Sequence, residues 1–311
     1  MYRRTTTAAG DELRLGRSSE IPDGSSHSGL FLADVPPHAP SPQPDPTAAA
    51  FVWLGRLFIG VSLLAFGVQH FLYSGFIGDL GLVPDWAPAH LFWAWLAGAI
   101  LLLAGLSVLT GIYARLATTL LGCVFLLSAF LRFTTHIPGM LHNIGDRGVF
   151  FELLACCAGS WMLARSFSPP GSGSGPGFLP VSDALTARLA TPARWLFGIA
   201  LVVFGSLHLQ APGWIAGLIP HWIPFHLFFA LFTGSALVAA GLAIAAQVWT
   251  RLSAALLALM LFSWVLIVHA PRIAHALHNG DEWNSGYVCL TMAGFALITA
   301  ALADRKPSDV H

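Results

Sequence analysis

From Leu91 to Ile112 the chain carries no charged side chain. An apolar run of this length hides its backbone polar groups best as a membrane-crossing helix, because a bilayer core is spanned by about 20 helical residues and offers no water to unpaired N–H and C=O groups. Seven more segments read the same way, giving predicted spans at 52–72, 90–112, 116–135, 149–164, 194–209, 226–246, 252–269 and 287–303. Composition agrees: with 56% hydrophobic and 10% charged residues, there is too little polar surface to cover a soluble domain. The expected fold class is all-α, a polytopic membrane protein of eight transmembrane helices in contact with the lipid bilayer.

Residues 1–48 are rich in Pro, Ser, Thr and Asp without apolar periodicity, and are predicted to be a disordered tail. Acidic and basic residues balance at 15 each and form no basic stripe, which excludes a nucleic-acid partner. Of the 15 Lys and Arg residues only Arg132, Arg147 and Arg272 fall on the side away from the tail. That bias predicts cytoplasmic termini. The four cysteines lie inside apolar segments, form no C-x-x-C pair, and read as small buried residues.

The chain also repeats itself. Arg56, Gly60, Phe66, Gly67 and His70 recur at an offset of 138 as Arg194, Gly198, Phe204, Gly205 and His208. At an offset of 136, Pro84-Asp85-Trp86-Ala87-Pro88-Ala89-His90 recurs as Pro220-His221-Trp222-Ile223-Pro224-Phe225-His226, followed by Gly98, Gly105 and Arg115 as Gly234, Gly241 and Arg251. His136-Ile137-Pro138 and His142-Asn143 return as His269-Ala270-Pro271 and His278-Asn279. The predicted organisation is a tail (1–48), a first four-helix unit (49–165), a linker (166–190), a second four-helix unit (191–304) and a short cytoplasmic tail (305–311). Four crossings return the chain to its starting side, so the two four-helix bundles should have parallel topology.

Ten of the histidines fall at the ends of spans, or in loops, on the side away from the tail. His70, His90 and His136 form one trio and His208, His226 and His269 the other. Imidazoles at one depth can ligate a metal or haem iron, or hydrogen-bond a quinone carbonyl. Trp86 and Trp222 suit the bilayer interface, and Pro88 and Pro224 are predicted to occupy the first turns of their helices. Arg132 and Glu152 are intramembrane ions; Arg132 is expected to pair with Glu152 or Asp146. The second unit shows no matching charges, which favours the first as the active one. Arg56 and Arg194 read as interfacial anchors. Gly98 with Gly105, and Gly234 with Gly241, each line one helix face for close packing.

Taken as a set, these motifs resemble the DoxX-like family of four-helix membrane proteins, in both halves. The resemblance implies a bacterial cytoplasmic (inner) membrane protein, and a tandem duplication of a unit usually found singly. It also implies a link to quinone-dependent redox systems. The chain has no flavin, iron–sulfur or c-type haem motif of its own, so a redox partner protein would carry the electrons. The expected function is an integral membrane subunit binding quinone or another small apolar ligand near the outer face. The alternatives are a non-enzymatic scaffold or small-molecule carrier, and a His-based metal or haem site. The expected ligand contacts are His70, His90, His136, His208, His226, His269, Trp86, Trp222, Arg132 and Glu152.

Overall fold

The computed structural model describes residues 45–75, 88–167 and 181–303. Their regular structure is entirely helical: α1 (Pro46–Leu72), α2 (His90–Thr110), α3 (Ala114–His142), α4 (Ile144–Ser166), α5 (Asp183–Gln210), α6 (Pro212–Leu218), α7 (His226–Ala246), α8 (Thr250–Trp264), α9 (Ala270–His275) and α10 (Gly280–Leu302). A π-helical turn, Val265–His269, joins α8 to α9. Eight spans among the described residues are long and apolar enough to cross a membrane. The predicted tail up to residue 44, Trp86, residues 168–180 of the linker and the tail 305–311 lie outside the described residues.

Several helices start earlier than hydrophobicity alone predicts, because local capping extends them into polar sequence. α1 begins at Pro46 rather than near residue 52: Asp45 accepts from Thr47 N–H, and the proline takes a position where no N–H is needed. Arg251 pairs with the Asp45 carboxylate at 2.5 Å, and with the Thr47 bond this holds the carboxyl below its usual range. α5 begins at Asp183, inside the predicted linker, where Ser182 caps Leu185 N–H; it then runs through Pro192. The repeated His-Asn pair proves to be a start signal. Asn143 and Asn279 accept from Gly145 N–H and Asp281 N–H, opening α4 and α10 well before their apolar stretches. The prolines before α2 and α7 are not in the first turn: Pro88 and Pro224 precede N-cap residues Ala89 and Phe225, both left-handed at φ 59° and 58°.

The last helix of each unit forms the centre. The α4 and α10 spans are 61% and 67% buried, against 22–39% for the other six. They pack on each other, and each also packs extensively on the first helix of the other unit, α4 on α5 and α10 on α1. The Phe295 ring lies where a side chain on Gly159 would sit, and meets Phe197 edge to face at 6.4 Å. Eight helices thus share one core. Within each unit the glycine stripes bring the first two spans together: Gly60 and Gly67 of α1 meet Gly105 and Gly98 of α2, and Gly198 and Gly205 of α5 meet Gly241 and Gly234 of α7.

At one end, arginines tie the helix termini together. Arg56 donates to Ser166 O at 2.6 Å and lies 3.7 Å over the Phe167 ring; Arg115 donates to Val181 O at 2.7 Å and pairs with Asp183. Arg56 is therefore more than an interfacial anchor: it satisfies a carbonyl at the last turn of α4. The histidines of the described helices lie toward the opposite end.

Candidate functional site

Two cavities lie toward the histidine end, one in each unit, and they differ tenfold in size. The first, bounded by His70, Phe66, Leu101, Phe125 and Glu152, has a volume of about 30 Å³. That is the share of one liquid water molecule. The second, about 340 Å³, lies between α5, α6, α7, α8 with its π turn, and α10. Glu152 of α4 and Val288 and Met292 of α10 border both. The intramembrane carboxyl group therefore stands between them. The charge pattern of the sequence pointed to the first unit, whereas the room for a ligand is in the second.

The walls of the larger cavity are apolar where they come from Leu201, Phe229, Leu237, Leu261 and Val268. Four of the residues that line it, Thr233, Trp264, His269 and Asn284, also carry a buried polar atom without a hydrogen-bond partner: Oγ1, Nε1, Nδ1 and Oδ1 respectively. Buried polar groups are nearly always paired, since leaving one unpaired costs about 1–3 kcal/mol. Four such residues thus line one cavity.

His208 adds a fifth group. Its Nδ1 donates to Phe204 O at 2.8 Å, which fixes the tautomer and leaves Nε2 as the acceptor of the neutral ring. His70 is held in the same way by Phe66 O at 2.7 Å and is 1% exposed.

The π turn explains how Trp264 and His269 come to share this cavity. In an α-helix residues five apart point roughly 140° away from each other. Here Ala270 N–H donates to Val265 O, five residues back, and this wider turn rotates His269 toward the face of Trp264. α6 lines the cavity with Trp214, Ile215 and Leu218. Trp214 also remains 68% exposed.

The predicted trios are not brought together as units. His208 and His269 share the larger cavity, but His226 does not line it. His226 Nε2 instead donates to Pro220 O at 3.1 Å, clamping the segment that leads into α7. This accounts for the Pro-to-His spacing of the second copy without a ligand; Pro84 of the first lies outside the described residues. His70 lines the small cavity, His90 is exposed, and the His136 side chain lies outside the described residues. Trp222 is 69% exposed, as an interfacial indole would be. Among the described residues no three His, Cys, Asp or Glu side chains come close enough to hold a metal ion. The second trio, all of it described, forms no such group.

Arg132 pairs with Asp146 at 3.1 Å. The second unit has a counterpart that sequence alignment alone conceals. Arg272 grips Glu282 with two bonds, Nε to Oε2 at 2.7 Å and Nη2 to Oε1 at 2.6 Å. The expectation that the second unit lacks such charges is corrected: its arginine stands on α9, beyond the π turn, and so out of the register of Arg132. Sequence reasoning also missed Thr233, Trp264, Asn284 and α6. A lone Thr or Asn carries no motif, and nothing in the sequence signals a π turn.

The DoxX family model matches residues 51–136, from α1 into α3. No curated protein and no solved structure matches the chain.

Proposed function

With a DoxX domain at residues 51–136 and a membrane-spanning helical body as premises, we propose that this protein is a membrane subunit of a quinone-linked redox system, holding a quinone-type ring in the larger cavity. The observation that carries the reading is that four residues lining this largely apolar cavity carry buried polar atoms without partners. A quinone ring is apolar on both faces and polar only at its oxygens. Trp264, Thr233 and His269 supply donors for those oxygens, and the aliphatic and aromatic walls take the faces. The site holds and orients the ring and excludes water; a redox partner protein carries the electrons.

In this reading the second unit is a diverged copy of the first, with both termini on the cytoplasmic side of a bacterial inner membrane and the cavity near the outer face. The recurrence of the histidine tautomer lock, the left-handed N-cap and the Asn start signal supports the duplication. The basic-residue bias supports the orientation.

Equilibrium dialysis of the purified full chain against a short-chain benzoquinone tests the reading. Saturable binding is expected, weakened about tenfold or more in Trp264→Phe, which removes the indole donor and keeps the ring. Non-saturable partitioning that is identical in Trp264→Phe and in the wild type would overturn it.

A further inference from the structure

The cavity's polar atoms are not interchangeable, and their chemistry says which form of a ring they fit. Trp264 Nε1 only donates, and Asn284 Oδ1 only accepts. His208, locked as the Nδ1–H tautomer, has only an acceptor left at Nε2. Thr233, 7% exposed with its hydroxyl unpartnered, can do either, as can the Nδ1 of His269. An occupant must therefore bring at least one acceptor, for Trp264, and at least one donor, for Asn284. A quinone brings acceptors alone. A bound quinone would leave Asn284 Oδ1 buried without a donor, as it is in this structure.

We infer that this cavity selects the hydroquinone form, a ring whose hydroxyls both donate and accept, over the quinone. This rests on the reading of the cavity as a quinone-type site and goes beyond it by naming the oxidation state it holds. One hydroxyl accepts from Trp264 or Thr233 while the other donates to Asn284 or His208, so each acceptor-only atom has a possible donor. The apolar body of the ring is common to both forms and contributes nothing to the difference. Selectivity therefore resides in the acceptors, Asn284 above all.

The test is anaerobic equilibrium dialysis of the full chain in detergent against duroquinone and durohydroquinone, which share one carbon skeleton. The hydroquinone should bind at least about tenfold more tightly, the equivalent of one buried acceptor satisfied or abandoned. In Asn284→Leu the ratio should fall toward one, chiefly by loss of hydroquinone affinity. Equal affinities in the wild type, or a tighter quinone, would overturn the selectivity while leaving a quinone-type site in place. Absence of saturable binding by either form would overturn both. Because the wild-type ratio alone decides the matter, the test survives a variant that fails to fold.

Discussion

Gly205→Leu should abolish the folded protein, while Gly213→Ala should leave it intact. A Cβ on Gly205 would run into the Gly234 carbonyl oxygen and stand 2.8 Å from Val238 N, both of them backbone atoms of α7. Backbone atoms of a packed helix cannot rotate away, so α5 and α7 would have to separate along their whole shared face. In a membrane this close approach is a main source of attraction between helices, since lipid tails are as apolar as the side chains. Overpacking at such a site costs roughly 3 kcal/mol or more. The expected result is aggregation, or loss of the monodisperse peak in size-exclusion chromatography, with no cooperative thermal transition. Gly213, by contrast, has nothing within 4 Å of its Cβ position. A Gly205→Leu protein with a wild-type melting profile would show that the glycine stripes do not govern the packing.

The second large effect is expected at the Arg272–Glu282 pair. The side chains are 32% and 17% exposed, and two short bonds tie α9 to α10 beside the larger cavity. Arg272→Leu leaves the partly buried carboxylate of Glu282 without its ion-pair partner. Breaking a fully buried pair costs about 3–5 kcal/mol, and the partial exposure here lowers that to roughly 2 kcal/mol. Replacing both residues by leucine removes the stranded charge and should restore most of the loss. The pattern of a destabilised single variant and a near-normal double variant, measured by thermal denaturation in one detergent, checks the assignment. Equal destabilisation of the single and double variants would contradict it.

Much of this architecture was legible in the sequence because the strongest signals were one-dimensional. Uncharged runs such as Leu91–Ile112 announced their helices, and the spacing of Gly98 with Gly105 announced a close-packed face. Helix starts were less legible, since capping by Asp45, Asn143, Ser182 and Asn279 extends helices into polar sequence. The swapped packing of α1 on α10 and α5 on α4 has no local signature, because it depends on partners far apart in the chain. At the candidate site, depth was readable and direction was not. His70, His208 and His269 lie at the end the sequence indicated, yet His226 turns back to Pro220 and His269 is turned by a π turn toward Trp264. Thr233 and Asn284 matter only through what surrounds them, and that is a property of the folded chain.

The cavity also explains why one unit of a repeated chain would carry the ligand. The two units share the His–carbonyl lock and the central helices, but only the second has the π turn and α6 at its histidine end among the described residues. One copy leaves about 30 Å³ beside His70 and the other about 340 Å³ beside His208. Glu152, supplied by the first unit, faces both. Photolabelling the purified full chain with an azidoquinone, with and without excess unlabelled hydroquinone, followed by peptide mapping, tests this assignment most directly. The label should fall on α7, on the segment from Trp264 to His269 and on α10 around Asn284, and should be lost on competition. Competable label on α2 and α3 around the His70 void, with none on these segments, would contradict it.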